Sequence, residues 1–122
     1  MILCIDDEPI GLFVRKFLLE GVGYKVLTAT NGGEGLEIFT TQPITAVLLD
    51  YCMPEMNGGQ VAAEMRRRKP AVPILMLSAC LEVPEEVLKQ VNGRAYKSEP
   101  PANLLAQIKQ LLSRQDPESA SA

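Results

Sequence analysis

The chain has 122 residues, which is the size of one ordinary domain. Hydrophobic residues make up 47% of it and charged residues 22%, close to globular averages, and this excludes a disordered or fibrous chain. The formal net charge of −3 argues against direct nucleic-acid binding, because such binding needs a basic surface. No apolar run approaches the roughly 18 residues that a membrane span needs, so no membrane partner is expected.

The residue types restrict the chemistry further. The chain contains no histidine, which excludes Ser-His-Asp and Cys-His nucleophile systems and His-ligated zinc. Its three cysteines, Cys4, Cys52 and Cys80, are odd in number and lack C-x-x-C spacing. This usage fits small side chains in a reducing cytoplasm better than a disulfide scaffold or a thiolate metal site. Carboxylates, hydroxyls, lysine or a bound cation remain to carry chemistry.

The first half of the chain alternates short apolar runs with segments of helical period. The run 1–5 predicts a strand, and the helix that follows begins at Pro9 and ends near Gly21. Apolar residues recur along this helix in an amphipathic pattern, at Ile10, Phe13, Val14, Phe17 and Leu18. A second strand is predicted at 24–29, before a short helix capped by Asn31.

The second half continues the alternation. Strands are predicted at 45–50, 73–78 and 94–98, and helices at 59–69, at 84–91 and from Pro101 onward. The last helix carries a leucine-rich stripe, at Leu104, Leu105, Ile108, Leu111 and Leu112. The basic run 66–69 fits a solvated helix C-terminus better than a nucleic-acid patch. We expect one domain over 1–114 and a disordered tail over 115–122.

Continuous apolar strands that alternate with helices imply a parallel sheet covered on both faces. Five strand–helix units in this length predict an α/β protein with an open, three-layer, doubly wound sheet, because a closed barrel needs about 250 residues.

Polar side chains follow the strands at the edge where such sheets bind ligands. Asp6 and Asp7 end the first strand, Asp50 the third and Ser78 the fourth. One aspartate after a strand is usually a plain polar cap, but three carboxylates at one edge repel each other, by roughly 4 kcal/mol per pair about 4 Å apart. Such a cluster takes up protons or binds a hard cation such as Mg²⁺. Asp50 is then a candidate nucleophile toward phosphorus.

Three motifs give the chain a specific resemblance. Residues 6–9 (DDEP) follow the first strand, and residues 77–79 (LSA) end the fourth. Residues 50–58 (DYCMPEMNG) match the pattern D-x-x-M-P-x-M-x-G at every fixed position. Over about 1–113, the chain resembles the receiver domain of two-component response regulators.

The resemblance implies a flavodoxin-like fold with strand order 2-1-3-4-5 and a role as a signalling switch, not an enzyme. Asp50 would accept a phosphoryl group from the phosphohistidine of a histidine kinase or phosphotransfer protein. Although no enzyme, the domain would assist its own phosphoryl transfer and hydrolysis. The output would lie in a downstream effector protein or a fused output domain, in the cytoplasm.

The resemblance also implies roles for individual residues. Asp7, Asp50 and the backbone carbonyl of Cys52 would ligate Mg²⁺, and Asp6 would act through water. Ser78 would bind a phosphoryl oxygen, and its reorientation would be coupled to an aromatic switch at Tyr96.

The end of the last strand departs from the family pattern of an aromatic residue, two spacers and Lys-Pro. Glu99 lies 21 positions after Ser78 and Lys97 lies 19, and the family spacing is nearer 21. This count favours Glu99 at the lysine position, with Pro100 as the family's cis-proline and Lys97 as the alternative. Glu99 would add an anion to a crowded edge, which predicts weaker phosphoryl coupling or stronger metal dependence.

Two other functions remain open. The first is a pseudo-receiver that docks partners without accepting phosphate, an alternative that Glu99 supports. The second is an aspartyl-nucleophile phosphohydrolase of the haloacid dehalogenase type. That class needs D-x-D after the first strand and a longer chain, whereas this chain has adjacent Asp6 and Asp7.

Overall fold

The computed structural model describes residues 1–79 and 83–115, and in them five strands alternate with five helices. The strands are β1 (Ile2–Ile5), β2 (Val26–Ala29), β3 (Ala46–Asp50), β4 (Ile74–Ser78) and β5 (Gly93–Tyr96). The helices are α1 (Pro9–Gly21), α2 (Gly32–Thr41), α3 (Gly58–Arg68), α4 (Glu85–Leu88) and α5 (Pro101–Gln115). Residues 116–122, most of the predicted tail, lie outside the described residues.

The five strands form one parallel sheet in the order β2-β1-β3-β4-β5, which confirms the predicted doubly wound topology. Every residue of β1, β3 and β4 is buried, because helices cover both faces of the sheet. Side chains of α2 and α3 pack on one face with Phe39 and Met65, and side chains of α1 and α5 pack on the other with Leu19 and Ile108. In such a sheet, ligands bind at the carboxyl ends of the strands.

Local capping explains where two of the helices begin. The Asn31 side chain accepts the Glu34 backbone N–H at 2.8 Å, so the predicted cap of α2 is confirmed. Asn57 caps α3 in the same way through the Gln60 N–H, and the Gln60 side chain accepts the Asn57 N–H in return. This capping box fixes the N-terminus of α3 directly after the loop that follows Asp50.

The apolar pattern of α1 marks the helix face that points away from the core. Ile10, Phe13, Val14 and Phe17 are exposed, with 81%, 70%, 47% and 70% of their surface accessible. The sheet-facing side instead carries Leu12 and Leu19, with Arg15 one turn from each. Because a charged residue interrupts the buried stripe, the exposed face has the stronger apolar period, and an amphipathic interpretation selects the wrong side.

The basic run at the end of α3 is partly structural. Arg66 donates to the carbonyls of Gln90 at 2.6 Å and Val72 at 2.7 Å, which ties α3 to the segments flanking β4. Lys69 donates to the Phe39 carbonyl at 2.7 Å, so the run serves as a packing element between α3 and its neighbours. None of the helices in the described part of the chain has the length and apolarity to cross a bilayer.

Candidate functional site

Buried polar side chains occur at one place in the described part of the chain. They are Asp6, Asp50 and Ser78, each 1% exposed or less, and all three lie at the carboxyl edge of the sheet. The register explains their proximity. Ile5 pairs with Leu49, so the next residues, Asp6 and Asp50, are neighbours, and Ser78 directly follows the partner of Asp50. Burying three polar groups costs free energy, so this edge is the candidate site.

Asp6 is held by three donors. Its Oδ1 accepts the Glu8 backbone N–H at 3.0 Å. Its Oδ2 accepts Lys97 Nζ at 2.8 Å and also the guanidinium of Arg15. Burial alone would raise the pKa of Asp6, but the hydrogen bonds from Lys97 and Glu8, with the charges of Lys97 and Arg15, lower it below its ordinary value. Asp6 is therefore ionised at neutral pH.

Lys97 occupies the position where sequence spacing favoured Glu99. Its ammonium ion-pairs with Asp6 and lies 3.3 Å from Asp50 Oδ2. Glu99 instead lines a cavity between α1 and α5. The interpretation that placed Glu99 at the lysine position, and with it the predicted extra anion, is wrong. The count from Ser78 misleads because Lys97, two residues before Glu99, is the residue whose ammonium reaches the carboxylates. Within the same connection, α4 has four residues where eight were predicted.

The surroundings of Lys97 keep two departures from the family pattern. The next residue is Ser98 where the pattern has proline, and the described peptide bonds include no cis bond at Pro100. Three positions before Lys97, where the pattern has an aromatic residue, stands Arg94, whose guanidinium lies 4.8 Å from the ring centre of Tyr96. Tyr96 pairs with Ser78 in the sheet. The two residues of the predicted switch are therefore adjacent.

Asp50 has fewer polar partners than Asp6, the other buried carboxylate of the site. Its Oδ1 accepts the Cys52 N–H at a long 3.4 Å, and its buried Oδ2 accepts no hydrogen bond from the residues that the structure describes. Burial and the nearby charge of Asp6 raise its pKa from 3.8 to about 6, while Lys97 opposes the rise. The buried Oδ2 has the Lys97 ammonium 3.3 Å away but no hydrogen bond from the described residues, which leaves it available for chemistry.

The raised pKa predicts how Asp50 affects stability. A folded-state pKa above the ordinary 3.8 means that the native protein holds this proton more tightly, so the stability contribution is complete below pH 3.8 and is lost as the pH rises through about 6. The neutral variant Asp50→Asn avoids this loss. Without divalent cations it should be more stable than the parent at pH 8, by up to about 3 kcal/mol, and equal to it near pH 4. Urea denaturation across this range measures the difference, and an advantage that grows toward low pH would contradict the shift.

The loop after Asp50 is folded tightly against the end of β3. The Gly58 N–H donates to the Tyr51 carbonyl at 2.9 Å, and Met53 is buried under the loop. Glu55 has a φ of 67°, in the left-handed region that non-glycine residues seldom adopt. A Cβ on Gly58 would lie 2.6 Å from the Asp50 carbonyl oxygen, so glycine is required where the chain passes this close.

The residues present fit a hard divalent cation. Asp6, Asp7 and Asp50 each offer a carboxylate oxygen, and these oxygens lie within 4.8 Å of one another. Asp7 is exposed, so the cluster opens to solvent. The buried Asp50 Oδ2 accepts no hydrogen bond from the described residues, so a bound cation would give this oxygen a partner. An all-oxygen donor set suits Mg²⁺.

The cysteines differ in state. Cys52, whose backbone carbonyl is a predicted ligand, is exposed and joined in a disulfide, contrary to the expectation of reduced cysteines. Cys4 is a buried free thiol, and burial raises its pKa to about 12, which makes it unreactive. Cys80 lies outside the described residues.

Arg15 is the site residue that sequence reasoning missed. It lies on α1, nine positions after Asp6, where an apolar pattern directs attention to the opposite face of the helix. One available signal is the charge itself, since an arginine flanked on its helix face by Leu12 and Leu19 needs an acidic partner.

Comparison with known proteins agrees with this geometry. The family model of the response regulator receiver domain matches residues 2–111. The alkaline phosphatase synthesis transcriptional regulatory protein PhoP of Bacillus subtilis (strain 168) is 33% identical over 118 residues, which cover 94% of this chain and 49% of that protein. The chain spans about half the length, or less, of the curated relatives it matches.

Solved structures are similar over nearly the whole chain. A CheY-like response regulator receiver domain protein from Methanospirillum hungatei JF-1 superposes with a TM-score of 0.91 at 28% identity, covering 96% of both chains. The response regulator protein TrrA from Thermotoga maritima, in complex with Mg²⁺-BeF, superposes with a TM-score of 0.86 at 32% identity, covering 90% of this chain and 96% of that chain.

Proposed function

The chain belongs to the response regulator receiver domain family, and we propose that Asp50 is its phosphoacceptor, taking a phosphoryl group from a histidine kinase or phosphotransfer protein. The observation that carries the proposal is the environment of Asp50. Its carboxylate is buried, its Oδ2 accepts no hydrogen bond from the described residues, and Lys97 lies 3.3 Å away. This is the arrangement of a nucleophile held ready beside a positive charge.

In the proposed step, an Asp50 carboxylate oxygen bonds to phosphorus as the bond from phosphorus to the donor's imidazole nitrogen breaks. Lys97 lies between Asp6 and Asp50, where its ammonium offsets the negative charge that collects on the transferred group. Ser78, buried at the end of β4, would bind a phosphoryl oxygen. Water would later cleave the acyl phosphate, which releases inorganic phosphate and restores the Asp50 carboxylate. The domain would assist this hydrolysis of its own phosphoryl group and act on no other substrate.

A divalent cation is part of this proposal. Asp7, Asp50 and the Cys52 carbonyl would hold Mg²⁺, and Asp6 would act through water, as the family resemblance implies. When bound, Mg²⁺ supplies positive charge that draws the phosphoryl oxygens toward Asp50. The support on this chain is the cluster of oxygens within 4.8 Å. The related TrrA structure contains Mg²⁺.

The phosphoryl group would act as a switch in the cytoplasm. It adds roughly two negative charges beside Ser78, and movement of Ser78 would be coupled to Tyr96, its partner on β5. The altered surface would then be read by a downstream effector protein or a fused output domain. The curated relatives are longer than this chain, which agrees with such an output.

The phosphodonor protein is the proposed occupant of the exposed apolar face of α1. This face begins at Ile10, four residues after Asp6, and continues through Phe13 and Phe17. A protein that delivers a phosphoryl group to Asp50 must approach the same edge of the sheet. Several large apolar side chains exposed on one helix face favour a protein contact.

The pseudo-receiver alternative loses its main support, because Lys97 and not Glu99 faces the carboxylates. The direct test is incubation with acetyl phosphate and MgCl₂, followed by intact-mass measurement. The expected result is a gain of one phosphoryl group that disappears in Asp50→Ala and after chelation with EDTA. An unchanged mass for the parent would support a phosphorylation-independent docking module, and continuous release of phosphate from other esters would support a phosphohydrolase.

A further inference from the structure

Arg15 places a second cation on the carboxylate that already binds Lys97. We propose that Arg15 is a positioning residue that pairs with Asp6 when no metal is bound and thereby weakens the affinity of the site for Mg²⁺. The inference rests on the proposed function, because it concerns the same cation site.

The contact between Arg15 and Asp6 is built into the fold. Arg15 lies on the sheet-facing side of α1 and its side chain is 13% exposed, while that of Asp6 is 1% exposed. Its guanidinium donates to Asp6 Oδ2. A Cβ on Gly11, one turn earlier, would lie 3.0 Å from Arg15 Nη2, so glycine leaves the guanidinium the room it uses.

The pairing occupies Asp6 almost completely. A carboxylate has about four acceptor sites, and Asp6 already uses one for Glu8, one for Lys97 and one for Arg15. Little acceptor capacity is left for a water molecule of a metal ion. Release of Arg15 would restore one site, and a cavity of about 110 Å³ lined by Arg15, Leu18 and Leu104 offers the side chain space to withdraw.

The charges act in the same direction. Asp6, Asp7 and Asp50 carry three negative charges, and Lys97 and Arg15 return two positive ones. Neutralising Arg15 increases the net negative charge that attracts a dication. Even with the screening of bulk water, a unit positive charge about 6 Å from a dication weakens its binding about tenfold.

The inference predicts that loss of Arg15 lowers the melting temperature of the metal-free protein and raises its affinity for Mg²⁺. Without Arg15, the repulsion among the carboxylates rises, so the metal-free protein should melt at a lower temperature. The same change should tighten Mg²⁺ binding about tenfold. A residue that only supports packing would lower the melting temperature and leave the Mg²⁺ affinity equal or weaker.

The test compares Arg15→Met and Arg15→Gln with the parent by isothermal titration with MgCl₂ and by thermal melting with and without MgCl₂. Arg15→Gln keeps a hydrogen-bond donor and guards against misfolding of the methionine variant. Lys16→Met is the matched control, because Lys16 is the next residue on α1 and pairs with exposed Glu20 at 3.1 Å, outside the site. Arg15→Lys keeps the charge and should bind Mg²⁺ like the parent.

The inference is supported if both neutral Arg15 variants bind Mg²⁺ about tenfold more tightly while Lys16→Met does not. An unchanged or weaker Mg²⁺ affinity in both neutral variants overturns it while leaving the proposed function intact. Failure of the parent and of all variants to bind Mg²⁺ overturns the proposed function itself, and the inference with it.

Discussion

Replacing Lys97 with methionine should slow labelling of Asp50 by acetyl phosphate about a hundredfold, the usual cost of removing one charge-stabilising group from a transition state. Lys97 is the cation that contacts both Asp6 and Asp50, at 2.8 and 3.3 Å. It also holds down the pKa of Asp50, so its loss should move the pH dependence of labelling to higher pH. The rate of mass increase between pH 5 and 9 measures both effects.

Glu99→Gln is the matched control for this experiment. Glu99 lies two residues further along the chain and lines the cavity between α1 and α5. Its neutralisation should change the labelling rate less than about twofold. If Glu99→Gln alters labelling strongly and Lys97→Met does not, the sequence count that favoured Glu99 is the correct alignment.

Gly58→Ala should destabilise the protein by about 1–3 kcal/mol and slow labelling of Asp50. The added Cβ would lie 2.6 Å from the Asp50 carbonyl oxygen and 2.7 Å from the Tyr51 Cα, and both contacts are with backbone that cannot rotate away. Relief requires the end of β3 to move relative to α3. Displacement of Asp50 by even about 1 Å costs roughly a hundredfold in a reaction that depends on alignment.

Gly33→Ala controls for the general effect of replacing glycine in a first helical turn. Gly33 lies at the start of α2, and the nearest atom to its Cβ would be Asn31 Oδ1, at an ordinary 3.5 Å. This substitution should be neutral or stabilising by up to about 1 kcal/mol. Urea denaturation of both variants gives the comparison, and a Gly58→Ala variant as stable as the parent would contradict the backbone clash.

Sequence patterns predicted the architecture well, for a physical reason. In a parallel sheet covered on both faces the central strands are buried throughout, so β1, β3 and β4 appear as apolar runs, the last two ending in Asp50 and Ser78. Because parallel strands end at one edge, the residues that follow them must come together. Asp6, Asp50 and Ser78 are therefore predictable as a cluster from the order of elements alone. The role of Asp50 as phosphoacceptor stays a prediction that labelling tests.

Some assignments needed packing information. Leu12 and Ile10 are similarly hydrophobic, but only the fold decides that Leu12 is buried and that Ile10 is exposed. Hydrophobic period reports that a helix has an apolar face, not which neighbour covers that face. Arg15 shows the same limit, because its neighbours in sequence say nothing of Asp6 on another element.

The amino-acid sequence by itself determined the alternation of elements, the edge where the carboxylates gather and the family to which the chain belongs. Only the tertiary structure decided that Lys97 and Arg15 are the cations that face these carboxylates. Their ion pairs with Asp6 and Asp50 join residues on different elements, and the lengths of the connections between those elements vary. Local pattern depends on nearest neighbours, whereas the charge balance of the site depends on how β1, β5 and α1 pack together.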